Sequence, residues 1–278
     1  SYYIMVNLIK SEMDKIQERE NEGVTGQDLI GENYINIILV GKPGTGKTTI
    51  AYALASTFGM PIRTVSISKN SEEDTYEGKT KTVEGKFNFV PTPFLEAYKY
   101  GGIIVAEEFN LSDPGVIMGA IGQAVEAPFI LYEDGYKPVR RNPYTILIST
   151  MNTATQGSRE PSEALTSRHP YVFVIDDPNE DDFIQILIKK GYPARDCRSV
   201  YKAYKAITNY LMSPAVNEEE TAQSIGVRSC IGALQLMSIG CSLEEAVNNT
   251  MIGTIAIKNL LLARKVKAEV LESLPMAA

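Results

Sequence analysis

The chain is poor in the residues on which several kinds of chemistry depend. Its 278 residues include three cysteines, Cys197, Cys230 and Cys241, an odd and sparse set with no C-x-x-C. That set points to reduced thiols and a cytoplasmic setting rather than to a disulfide framework. His169 is the single histidine, which excludes a histidine-rich zinc site and argues against a Ser-His-Asp triad. No apolar run approaches the ~20 residues needed to span a bilayer, so no membrane partner is expected. The short apolar patch at the N-terminus lacks a basic region and a cleavage site and does not read as a signal peptide. Basic charge is in deficit, with 27 Lys and Arg against 34 Asp and Glu for a net charge of -7. Bulk electrostatics therefore argue against a general nucleic-acid binder. The first residue is Ser rather than Met, as expected of a processed or excised piece.

What is present is a globular composition, 44% hydrophobic and 22% charged, at a length that suggests one large domain or two unequal ones. The most informative stretch is the β-prone run Ile35-Asn36-Ile37-Ile38-Leu39-Val40, followed by Gly41-Lys42-Pro43-Gly44-Thr45-Gly46-Lys47-Thr48-Thr49 and then the helical pattern Ile50 to Ala55. Strand, G-x-x-x-x-G-K-T and helix in that order are the context a phosphate-binding loop requires. Gly41, Gly44 and Gly46 let the backbone curl so that successive N–H groups face an anion. The helix start adds partial positive charge. Lys47 would reach the β- and γ-phosphates, and the Thr48 hydroxyl would ligate Mg²⁺. An ordinary glycine turn before a helix would not need this combination, and the reading is a nucleoside-triphosphate site.

A second run, Gly102-Ile103-Ile104-Val105-Ala106-Glu107-Glu108, is a buried strand ending in two carboxylates. Beside a phosphate-binding loop, one carboxylate can hold metal-bound water while the next polarises the attacking water. Glu107 is assigned the first role and Glu108 the second. The strand from Tyr144 to Ser149 leads into Thr150-Met151-Asn152. Ligands sit at the carboxyl ends of parallel strands, which places Asn152 beside the γ-phosphate.

The remaining elements are read from periodicity. Ser11 to Glu22 is a charged, solvent-facing helix, and Gly23 to Gly31 is a loop. Ile62 to Ile67 alternates as a strand. Ser68 to Val90 reads as a short hairpin interrupting a helix that resumes over Pro91 to Tyr100; it is either a locally packed loop or a partner contact. Asp113 to Glu126 has helical spacing behind a first-turn Pro114, and Asp134-Gly135 signals a second hairpin. Glu160 to Ser167 reads as a short helix and Tyr171 to Ile175 as a strand. From Glu180 onward the pattern is wholly helical. The expected division is therefore an α/β unit over residues 1–177 and a small helical unit over 178–278.

Taken together these motifs resemble an AAA+ ATPase of the MoxR and dynein-related branch. The matching pieces are G-K-P-G-T-G-K-T at 41–48, I-I-V-A-E-E-F-N at 103–110, I-S-T-M-N at 148–152, E-A-L-T-S-R at 163–168 and G-V-R at 226–228. The resemblance implies a P-loop NTPase three-layer sandwich, with a five-stranded parallel sheet as the AAA+ core and a small all-α lid domain after it. It implies Asn152 as sensor 1, Arg168 as an arginine finger reaching a neighbouring subunit's site, and Arg228 as sensor 2 at the start of a lid helix. It also implies ATP with Mg²⁺, a homo-oligomeric and hexameric ring, and a client protein or a von Willebrand A domain partner. One departure is visible: this family normally has Asp-Glu where this chain has Glu107-Glu108, and the extra methylene shifts the metal-side carboxylate outward.

The leading expectation is thus a Mg²⁺-dependent ATPase that remodels or activates a partner protein. A nucleotide-binding switch or scaffold with weak hydrolysis is the alternative, motivated by Glu107. A GTP-dependent nucleic-acid motor subunit is the third. It draws on Lys79, Lys81, Lys86, Lys137, Arg140 and Arg141 around the two hairpins and is opposed by the acidic balance.

Overall fold

The computed structural model describes residues 1–30, 34–68, 71, 76–111, 130–133, 137–152, 163–167, 169–213, 216 and 225–271. Packing divides the chain into two units. Described residues through Ile175 form the first, except Lys42–Thr45, which are grouped with those from Asp176 onward in the second.

The first unit is built on a five-stranded sheet. Its members are β1 (Asn36–Gly41), β2 (Ile62–Ser66), β5 (Gly102–Glu107), β8 (Thr145–Asn152) and β9 (Tyr171–Val174), in the order β2-β5-β8-β1-β9. Every pairing between them is parallel. Buried parallel strands read as near-continuous apolar runs because both faces are covered, and alternation along each strand sorts its side chains into two cores. Ile37, Leu39, Ile103, Val105, Ile146 and Ile148 pack beneath α1 (Tyr2–Asn21) and α2 (Lys47–Phe58). Ile38, Ile104, Ala106 and Leu147 pack against Phe94, Leu95 and Tyr98 of α3 (Pro93–Tyr100) on the opposite face. The result is the expected three-layer sandwich.

Two local devices fix element ends. Thr92 caps α3, its hydroxyl accepting from the Leu95 N–H at 3.1 Å, and Pro93 occupies the first helical position. Gly102 opens β5 at φ 132, where a Cβ would come within 2.7 Å of the Pro61 carbonyl oxygen; only glycine admits that approach.

Several expectations are corrected. The first helix begins at Tyr2 rather than Ser11, and Met5, Ile9 and Ile16 on it are buried. Its solvent-facing charges obscured an apolar stripe that starts upstream of them. The strand read from Tyr144 is β8, Thr145–Asn152, and it ends at Asn152 as expected. Arg141 does not belong to an exposed basic surface. It is buried, donating to the Asn36 Oδ1 at 2.8 Å and the Thr145 carbonyl at 2.7 Å, with its guanidinium 4.5 Å from the centre of the Tyr34 ring. Burial pulls its pKa down to about 10, so it remains charged at neutral pH. It ties together the starts of β1 and β8. Arg141→Leu is expected to cost about 3 kcal/mol by leaving those acceptors without their donor, read as a fall in the urea midpoint.

The segment before α3 forms the antiparallel pair β3 (Gly78–Val83) and β4 (Lys86–Pro91), as the glycine spacing suggested. The second hairpin pairs β6 (Ile130–Glu133) with β7 (Lys137–Arg140). Its Asp134-Gly135 turn and the helix expected over Asp113 to Glu126 lie outside the described residues.

The second unit is helical, with Glu180–Lys189, Ala194–Leu211 and Val227–Ser238 as its main helices. Helical turns continue over Leu243–Ala256 and Leu260–Leu271. Phe183, Val200, Tyr204, Ile207, Leu234, Val247 and Val266 share its core, and Phe183 stacks on Tyr204 with ring centroids 5.1 Å apart. Among the described residues no helix is long and apolar enough to cross a membrane.

Candidate nucleotide-hydrolysis site

Strand order decides where the site lies. β1 continues in sequence to β2 at one edge, whereas β8 continues to β9 on the far side of β1, so the chain changes direction between β1 and β8. Open parallel sheets bind ligands at the carboxyl ends of the strands at such a point. Here the register pairs Gly41, the last residue of β1, with Asn152, the last residue of β8.

Gly44 and Gly46 follow with φ of 84 and 91. The left-handed conformation at both positions excludes most side chains. Backbone curled through glycines in this way can turn successive N–H groups toward an anion. α2 begins at Lys47, so its first N–H groups add to the anion-attracting end.

Lys47 is only 7% exposed. Its ammonium donates to the Gly41 carbonyl at 2.9 Å and to Asn152 Oδ1 at 2.8 Å. Asn152 in turn donates from Nδ2 to Glu108 Oε1 at 3.1 Å. Thr48 donates from its hydroxyl to Glu107 Oε1 at 2.7 Å. The structure thus brings Lys47, Thr48, Glu107, Glu108 and Asn152 into one connected group at the ends of three neighbouring strands and one helix. Thr49 is exposed on α2 and takes no part in that group. Thr45 bonds its own loop, donating to the Lys42 carbonyl at 3.0 Å; Pro43 has no side-chain donor or acceptor to offer.

Two adjacent glutamates in a regular strand would point to opposite faces of the sheet. Glu107 follows Ile103 and Val105 and faces α2. Glu108 reaches the same side because its φ is 55, a left-handed conformation rare outside glycine and costing roughly 1–2 kcal/mol. Glu108 is exposed and Glu107 partly so.

Two side chains were missed in the sequence. Thr150 accepts the Glu108 N–H at 3.3 Å; its place two residues before Asn152 on a strand was the available signal. Ser149, on the other face, is within 3.1 Å of His169 Nε2, and the His169 ring lies 5.9 Å from that of Phe109. His169 is buried, so the lone histidine joins β8 to the segment before β9. Arg168 lies outside the described residues. Arg228 is exposed in the first turn of the helix Val227–Ser238, within the second unit.

The donor set can be tested against Mg²⁺. A hydroxyl and a carboxylate in mutual contact are hard oxygen donors, and Mg²⁺ usually takes one or two such protein ligands together with waters and substrate phosphates. Among the described residues no cluster of three or more His, Cys, Asp and Glu side chains is placed to hold a metal. The residues present fit a metal carried with the nucleotide.

A five-stranded parallel sheet with a P-loop after its first strand and paired carboxylates two strands away defines a P-loop NTPase of the AAA+ class. Residues 36–169 match the AAA domain of the dynein-related subfamily. Uncharacterized proteins of Staphylococcus saprophyticus and Staphylococcus epidermidis are each 24% identical over 233 residues, covering 78% of this chain and 83% of their own length. A solved chain from Cytophaga hutchinsonii, provisionally assigned as an ATPase, is 15% identical with a TM-score of 0.49, covering 99% of this chain and 98% of that one.

Proposed function

We propose that the chain hydrolyses ATP with Mg²⁺ and works as an oligomeric ring, hexameric in the simplest form, that remodels or activates a partner protein in the cytoplasm. The observation that carries the hydrolytic part is the connected group Lys47, Asn152 and Glu108 beside the Thr48–Glu107 pair. Lys47 would exchange its present acceptors for β- and γ-phosphate oxygens, neutralising charge that grows in the transition state. Glu108 would accept a proton from the water attacking the γ-phosphorus as the bond to the ADP leaving oxygen breaks. Asn152 would orient that water. Thr48 and Glu107 would hold Mg²⁺, which when bound supplies charge neutralisation across the phosphates.

The ring is proposed on the family resemblance, in which a cation supplied by the next subunit ties transition-state charge to assembly. Arg168 from the next subunit would supply it, and Arg228 would face the nucleotide from the lid. Phosphate release measured across protein concentration tests this. Turnover should rise with assembly, and Arg168→Ala should lower it by about 10³ while nucleotide binding persists. Turnover independent of concentration and of Arg168 would leave a monomeric hydrolase. The client, including a von Willebrand A domain partner, is proposed on the resemblance alone.

A second reading has one observation in its favour: Glu107 reaches the Thr48 hydroxyl directly, so its longer side chain fills space that a shorter Asp would leave. In that reading the chain is a nucleotide-operated switch with slow hydrolysis, and Glu107→Asp raises turnover about tenfold. Unchanged or lower turnover in that variant favours the motor. For the nucleic-acid motor, Lys79, Lys81, Lys86, Lys137 and Arg140 remain exposed on the hairpins and Arg141 is lost to the interior. With a net charge of -7, salt-dependent DNA binding is not expected.

A further inference from the structure

We infer that Thr150 is a positioning residue for hydrolysis: its hydroxyl holds the left-handed turn at Glu108 that brings the second carboxylate onto the nucleotide side of the sheet. The inference rests on the reading of Glu108 as the base that activates water. The described pairing of β5 with β8 ends at Ala106 opposite Ser149. Beyond that point the Glu108 N–H has left the ladder, and the acceptor it finds is the Thr150 side chain at 3.3 Å. The Glu108 carbonyl accepts from the Leu111 N–H at 2.9 Å, closing the turn from its other end.

Thr150 lies on the same face of β8 as Ile148 and Asn152, by the alternation of a strand. It is buried, 3% exposed, and its neighbour on that face, Asn152, holds the Glu108 carboxylate at 3.1 Å. Two successive side chains of β8 therefore grip Glu108 at separate points, Thr150 at the backbone and Asn152 at the carboxylate. A β-branched residue would suit this strand position for packing alone, and valine would then serve equally well. The hydroxyl is what valine lacks. Its bond is long at 3.3 Å, and bonds in catalytic sites without substrate often shorten once the substrate is seated.

The discriminating variants are Thr150→Val and Thr150→Ser in the full chain, assayed with ATP and Mg²⁺ at the protein concentration giving maximal turnover. Thr150→Val should lower kcat about fivefold to tenfold, the worth of one hydrogen bond expressed in the transition state. KM and the ATP dissociation constant should stay within about twofold of wild type, because binding depends on the P-loop. Thr150→Ser should recover most of kcat. Wild-type kcat in Thr150→Val overturns the inference, and so does a loss that Ser does not recover or that ATP affinity shares in proportion. Those results leave the ATPase reading intact so long as wild-type turnover is abolished by Glu108→Gln. A wild-type chain without Glu108-dependent turnover overturns that reading, and this inference with it.

Discussion

Glu108→Gln is expected to bind ATP as tightly as the wild type and to lose turnover by a factor of about 10² to 10⁴. The amide keeps the size of the side chain and can still present an oxygen to Asn152 Nδ2, now 3.1 Å from the Glu108 carboxylate. What it cannot do is accept a proton at neutral pH. The P-loop, Lys47 and Thr48 are untouched, so binding measured with a fluorescent ATP analogue should match wild type while steady-state phosphate release falls. Equal turnover in the two proteins would remove Glu108 as the base and move the hydrolytic role elsewhere. Equal loss of binding and turnover would instead indicate that the carboxylate supports the architecture of the site.

Lys47→Ala should have the opposite signature, with nucleotide affinity lost about 100-fold or more. The ammonium sits almost out of solvent between the Gly41 carbonyl and Asn152 Oδ1. Such a group is positioned at low cost to meet phosphate, because the protein has already desolvated it and fixed its direction. Removing it takes a full positive charge from beside the triphosphate and leaves both oxygens without this donor. Titration calorimetry with ATP and Mg²⁺ reads the loss directly. An affinity within a factor of three of wild type would mean that the nucleotide is held by backbone N–H groups alone.

The two predictions draw on features of unequal visibility in the sequence. The P-loop was legible because its glycines, lysine and threonine occur at fixed spacing between a strand and a helix, all of them local. The parallel sheet was legible for a similar reason: β1, β5 and β8 are apolar runs bounded by turn residues. The pairing between elements was not. Nothing within Ile35 to Val40 states that Gly41 will lie opposite Asn152, and nothing near Lys47 states that its ammonium will be held 105 residues away in sequence. Arg141 was misread because a charge beside a hairpin usually faces water; its burial depends on Asn36 and Thr145 arriving from two strands. The first helix was placed too late because Met5 and Ile9 find their core only when the sheet exists. Thr150 was overlooked because a threonine at the end of a β-prone run has an ordinary explanation. Its second role appears only with the turn at Glu108.

The neighbourhood of β1 and β8 carries a consequence for the timing of the cycle. Their ends are joined by consecutive partners from Asn36 and Leu147 through Gly41 and Asn152, so the two strands cannot slide past one another without giving up the whole ladder. In the proposed cycle, phosphate departure would be registered by reorientation of side chains such as the Asn152 amide and the Lys47 stem, which are hydrogen-bonded at 2.8 Å. Side-chain reorientations of that kind take pico- to nanoseconds, whereas collective motions of whole elements take micro- to milliseconds. Detection of the spent nucleotide would be fast and local, and whatever limits the pace of a full turn should be sought in slower movements beyond this pair of strands.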